Sequence, residues 1–216
     1  MKVNGFKIKP RAKLANTNLS DTILPSADLR AADLSNANLT DANLCYSALQ
    51  YANLSNANLN GAYLRGVMLM YANLTNANLS DATLPMADLE GANLEGANLN
   101  EVNLKDAKLV GANLTNANLT GADLTRADLS GAKLIGANLT NALLLSTDIS
   151  AADLTEANLS GAKLIGANTT NTNLSAANLQ GASLQGANLA SANLMGANLQ
   201  EADLSGATMP DGTVHD

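Results

Sequence analysis

From Leu14 onward a hydrophobic residue returns every five positions, and the pattern runs to Leu204. It occupies 39 slots, and Leu fills all but two, the exceptions being Ile149 and Thr169. Two residues before each slot sits a small residue, usually Ala. The unit is A-(N/D)-L-x-x, as in Ala37-Asn38-Leu39-Thr40-Asp41 or Ala197-Asn198-Leu199-Gln200-Glu201. A five-residue step advances an α-helix by about 140° net, so the Leu residues would spray around it and form no stripe. Heptad coiled coils fail for the same reason. A flat strand fails because five is odd and successive Leu would alternate between faces. Within one unit, though, the small residue and the Leu are two apart and share one side of an extended segment. The chain must turn once per unit to bring the next pair back inward. Repeating that turn gives a parallel β-solenoid, with Leu and Ala inside and three positions of each unit outside.

The outer slots agree with this. Gly concentrates in the last slot, where a corner needs permissive dihedrals. Asn and Asp crowd the slot between Ala and Leu, where short polar side chains bond nearby backbone groups. One coil alone could not bury its Leu residues, so stacking must supply the core.

On these residues the chain resembles the pentapeptide-repeat proteins, over residues 12–209. The resemblance implies an all-β fold, a right-handed quadrilateral parallel β-helix with four units per coil. The period of five does not itself set the number of sides. Four sides make about ten coils and, at ~4.8 Å per coil, a rod roughly 45–50 Å long. Residues 1–11 are then an N-terminal lead or cap, with Phe6 and Ile8 as a small plug, and 210–216 a short C-terminal tail. Pro210 is expected to interrupt pairing there, and no capping helix or dimerisation segment is evident.

The charge excludes several function classes. A net −7, from 19 acids against 12 bases, disfavours direct nucleic-acid binding, which needs clustered Lys and Arg. The start, Met1-Lys2-Val3-Asn4-Gly5-Phe6-Lys7-Ile8, lacks the apolar run of a signal peptide, and no stretch could span a membrane, so a cytoplasmic location is expected. The lone Cys45 forms no internal disulfide and is expected as an ordinary exposed wall residue. The only His is His215, beside the last residue. A filled solenoid offers walls rather than clefts, and neither zinc spacing nor a phosphate-binding motif occurs. No catalytic residue, cofactor or metal is expected.

In four-sided coils, residues 20 apart stack in columns, so departures from the polar pattern can be mapped. Tyr46, Tyr51, Tyr63, Arg65, Met68, Met70, Tyr71 and Met86 fall on two neighbouring sides in the N-terminal third, and they include every Tyr of the chain. Tyr51 should stack on Tyr71. Tyr, Met and Arg are enriched at protein interfaces. A second apolar patch, Leu143, Leu145 and Ile165, shares a side with Tyr63. Thr169 in a Leu slot and Thr172 in an Ala slot make a core defect, expected to contract the wall or to hold a water.

Three uses follow. The first is a protein-interaction scaffold with an unknown protein partner. The resemblance adds that uninterrupted members abound in cyanobacteria, some of them regulatory. The second is a DNA mimic, since some members imitate a duplex and bind DNA gyrase. Against it, the acids divide between opposite sides, with Asp21, Asp41, Asp81 and Glu101 on one and Asp28, Asp88, Asp128 and Asp148 on the other. The third is a structural solenoid with no specific partner. Ice binding needs regular Thr columns, which the chain lacks. The chain is expected as a monomer or a weak end-to-end or side-by-side homo-oligomer.

Overall fold

The computed structural model describes residues 2–3 and 5–216, and none of them is helical. Each middle-slot residue pairs in parallel with the residue 20 further on. Four series begin at Lys13↔Asp33, Asn18↔Asn38, Ile23↔Asn43 and Asp28↔Ala48, and the last ends at Asn188↔Thr208. A coil therefore takes 20 residues and has four walls. The first to fourth walls are those that begin with Lys13, Asn18, Ile23 and Asp28. Each corner is assigned to the wall it ends. The walls consist of single bridged residues rather than extended strands, because two of every five residues are spent in the corner turn.

Backbone hydrogen bonding explains the unit. In Ala52–Asn56, Ala52 N–H closes the preceding turn on Leu49 C=O at 3.0 Å. Asn53 N–H donates to Ala32 in the coil before, at 2.9 Å. Leu54 and Asn56 donate to Asn73 and Thr75 in the coil after, at 2.7 and 2.9 Å. One donor remains, Ser55 N–H, and the side chain of Asn53 accepts it at 3.2 Å. Every donor of the unit is thus paired, as it must be in a densely stacked chain. This gives Asn and Asp their slot. It also places Pro25, Pro85 and Pro210 in the one slot whose N–H has no backbone acceptor, each two residues after a side chain that is neither Asn nor Asp (Ile23, Thr83, Thr208).

The second corner residue is left-handed in unit after unit, as at Asn56 with φ 56°. It is the third residue of a Leu-x-x-Ala turn closed by Ala57 N–H on Leu54 C=O, the position at which type II turns require positive φ.

The interior is one continuous stack. Leu14 to Leu189 are at most 1 % exposed wherever Leu fills the slot, and each burial contributes about 1.5–3 kcal/mol. Thr169 and Thr172 are fully buried, but neither hydroxyl is orphaned. Thr169 donates to Asn188 C=O at 2.6 Å and Thr172 to Ile149 C=O at 2.7 Å. Ser47 and Thr147 do the same to Leu24 and Leu124. The defect needs no bridging water, because a carbonyl of the wall lies within reach of the hydroxyl.

Strand β1 (Lys2–Val3) pairs antiparallel with β2 (Phe6–Lys7). Phe6 and Ile8 pack against the first coil's interior. Of the expected lead, Met1 and Asn4 lie outside the described residues. The C-terminal segment differs from expectation. Pro210 does not end the pairing, since its carbonyl accepts from Ser191 N–H at 3.0 Å. The chain then folds back, and Val214 pairs antiparallel with Thr208 across the top of the fourth wall.

Candidate interaction surface

The second wall is the regular one. Its middle slots are Asn from Asn18 to Asn198 without a break. The amides bond along the column, Asn78 to Asn58 at 3.0 Å, Asn98 to Asn78 at 3.0 Å and Asn118 to Asn98 at 3.1 Å. Each also accepts the N–H two residues on, as Asn118 does from Thr120.

The third and fourth walls break this pattern at the N-terminal end. Tyr63 stands in a middle slot of the third wall, with Arg65 in the next corner position, and both are exposed. Tyr46 and Met86 occupy second-corner slots of that wall. Met68 and Met70 belong to the fourth wall, Met68 just exposed and Met70 half-buried. Tyr51 and Tyr71 form its outer corner. Their rings stack with centroids 5.5 Å apart and planes 13° from parallel. Ile23, an isolated apolar residue in the sequence, is 73 % exposed on the third wall and extends the surface by one column position. No pocket opens among the described residues, so the surface is a flat, ridged wall.

Four of these side chains sit in left-handed backbone: Tyr46, Tyr51, Tyr71 and Met86, with φ of 59°, 61°, 56° and 60°. That region costs bulky L-residues roughly 1–2 kcal/mol each. Glycines one coil on make room for two of the rings. The Tyr46 ring passes 2.7 Å from where a Cβ on Gly66 would lie, and the Tyr71 ring 2.5 Å from the same point on Gly91. The units of Tyr63 and Met68 also forgo the side-chain acceptor, so Arg65 and Met70 N–H lack the bond that Ser55 makes. Gln50 donates to Met68 Sδ at 3.3 Å, while its enclosed Oε1 has no partner. Glu90 accepts from the Tyr71 hydroxyl at 3.2 Å, and its charge raises that phenol above its ordinary value.

The second patch is weaker than its sequence suggests. Leu143 and Leu145 are half-buried, and Ile165 is 39 % exposed. All three lie on the third wall, four coils or more above Tyr63. Cys45 is likewise half-buried rather than exposed, with its thiol 3.7 Å from Tyr63 C=O.

Charge also divides by wall. The third wall carries Arg65, Lys105, Arg126 and Lys163 against Asp106, Asp123 and Asp203, a net of about +1. The second wall holds five acids and no base (Asp21, Asp41, Asp81, Glu101, Glu201). The first and fourth walls are also net acidic. Two ion pairs cross the middle of the third wall, Lys105–Asp123 at 2.9 Å and Arg126–Asp106 at 2.7 Å. The Arg126 hydrogen bond holds the Asp106 carboxyl below its usual range.

Comparison with known proteins places this architecture. The sequence matches the family described as pentapeptide repeats in eight copies, over segments running from 11–46 to 172–209. The chain is a pentapeptide-repeat protein. The fold of this family is the right-handed quadrilateral β-helix, which agrees with the 20-residue coil. HetL, from the cyanobacterium Nostoc sp. strain PCC 7120, is a pentapeptide-repeat protein involved in heterocyst differentiation regulation. It is 38 % identical to this one, with 94 % of each chain covered and a TM-score of 0.39. A second pentapeptide-repeat protein from Nostoc PCC 7120, alr5209, is 49 % identical over 39 % of this chain and 66 % of its own, with a TM-score of 0.34. QnrB1, a plasmid-mediated fluoroquinolone resistance protein, is 20 % identical over 83 % of this chain and 90 % of its own, with a TM-score of 0.42. No curated protein matches. No helix among the described residues is long and apolar enough to cross a membrane.

Proposed function

We propose that this pentapeptide-repeat protein is a non-enzymatic, cytoplasmic interaction scaffold with a regulatory role. Residues 12–209 form its rod of about ten coils, with the described residues of 1–11 and residues 210–216 closing the two ends. A protein partner docks on Tyr46, Tyr51, Tyr63, Arg65, Met68, Met70, Tyr71 and Met86. The observation that carries this reading is that all four Tyr and three of the Met gather on one exposed surface of two neighbouring walls whose other outward slots are mostly polar. The units of Tyr63 and Met68 within it also give up the backbone-pairing Asn or Asp. The regulatory part leans on HetL, whose described role is in differentiation.

A second reading, duplex mimicry with gyrase as partner, draws on the acidic second and fourth walls. Affinity capture from the native host compares the unaltered chain with the Tyr51→Ser/Tyr71→Ser variant. A partner lost by the variant, with unchanged melting, is the expected result. A partner held equally by both overturns the docking site. If that partner is gyrase and its capture weakens with added salt, the mimic reading replaces the scaffold.

A further inference from the structure

The third wall carries apolar residues at two heights, with a band of paired charges between them, and it alone lacks an acidic excess. From this the geometry points to a second copy of the chain as the occupant of the third wall, in an antiparallel, side-by-side dimer. The inference rests on the reading that this surface is a contact site, and it names one occupant for the third-wall part.

A two-fold axis lying across the wall makes each slot face its own slot and inverts the order of coils. The charges choose its height. Placed at the coil of Asn103, it would set Lys105 against Lys105 and Asp106 against Asp106 of the second copy. Placed midway between the coils of Asn103 and Asp123, it sets Asp106 against Arg126 of the second copy, and Asn103 against Asp123. Each charge in the band then meets an opposite or neutral group, and the Arg126–Asp106 pair made within one chain is repeated between chains. In the same register the coils of the two patches lie opposite one another. Thr83 and Pro85 face Leu143 and Leu145, Arg65 faces Ile165, and Lys163 faces Tyr63, the pairing a cation–π contact needs. A parallel pair would instead put Arg65 level with Arg65 and Lys163 level with Lys163. Two copies meeting through any other wall would bring net acidic surfaces together.

Six coils at ~4.8 Å make a strip about 29 Å long. Three extended residues at ~3.3 Å make the wall about 10 Å wide, so the strip covers roughly 300 Å² per copy, less than half of what a standard stable interface buries on each side. The dimer is therefore reversible and concentration-dependent. It leaves Met68, Met70, Tyr51 and Tyr71 on the fourth wall free for a different protein.

Sedimentation of the full chain from micromolar to millimolar concentration should show the mass rising toward twice the monomer. Asp106→Arg should hold the chain monomeric while it still melts cooperatively, only slightly less stable for the lost exposed ion pair, and adding Arg126→Asp should restore the rise. In a Cys45→Ser background, Thr83→Cys with Leu143→Cys should give a disulfide-linked dimer on oxidation. These positions are three coils, ~14 Å, apart in one chain, too far for an internal bond. A chain that stays monomeric throughout, a dimer indifferent to Asp106→Arg, or linkage by Thr83→Cys alone each overturns the proposal. Tyr51 and Tyr71 lie outside the strip, so their capture experiment succeeds or fails independently.

Discussion

The second and third walls use the same coil, the same core and the same turns, and differ only in what fills their outward slots. On the second wall every middle residue is Asn, which caps a backbone donor and bonds along the column. On the third wall Ile23, Tyr63, Thr83, Leu143, Lys163 and Ser183 interrupt that arrangement. The solenoid tolerates this because each unit is held by its buried Leu and its intercoil bonds. The outward side chain adds only an increment. A wall can therefore be optimised for stability or given over to contact without changing the fold.

The comparison breaks first in the core. Leu99→Asp beneath the second wall and Leu64→Asp beneath the third should each unfold the chain, at a cost above about 4 kcal/mol, because both slots are sealed. Retained cooperative melting in either variant would contradict the inward assignment. One step smaller, Asn98→Ala should cost about 1–2 kcal/mol in urea unfolding. It removes rungs to Asn78 and Asn118 and the acceptor for Asn100 N–H. The opposite change on the patch, Tyr63→Asn with Met68→Asn, should raise stability by up to about 1 kcal/mol, by restoring acceptors for Arg65 and Met70 N–H. A fall would show that these side chains hold the wall together. Tyr51→Ser with Tyr71→Ser should change stability by no more than about 1 kcal/mol, since both rings stand outside the core and lose chiefly their mutual stacking.

The smallest effect is with acid. Asp33 is held below the usual carboxylate range by hydrogen bonds from the Ser35 hydroxyl and N–H. Burial pushes Asp148 up, but bonds from Ser150 and Asn168 outweigh it, and the net direction is also down. A lowered folded pKa contributes stability above the unfolded value of ~3.9, and loses it as pH falls through the folded value. The urea midpoint should be flat from neutral pH to about 5 and drop below about 4. Asp33→Asn should shallow that drop. A midpoint that rises on acidification would reverse the sign assigned to these groups.

Much of this was legible in the residues. The stacking of Tyr51 on Tyr71 follows from their spacing once the coil has four sides, as does the column shared by Leu145 and Ile165. The half-burial of Leu143 and Leu145 did not, because how far a wall residue is covered depends on its neighbours one coil above and below. Nor did the return of Val214 onto Thr208, since the tail carries no repeat and its pairing is a tertiary contact. The Pro residues fell into place only with the hydrogen bonds, which show that the first corner N–H has no backbone acceptor.

By itself the sequence determined which side chains lie inside, because a period of five with a small residue two before each Leu permits one repeating turn and no helix or flat strand. It also settled the family. The tertiary structure decided which outer residues share a wall. Bridges between residues 20 apart turn a linear list of charges, tyrosines and methionines into four unlike faces.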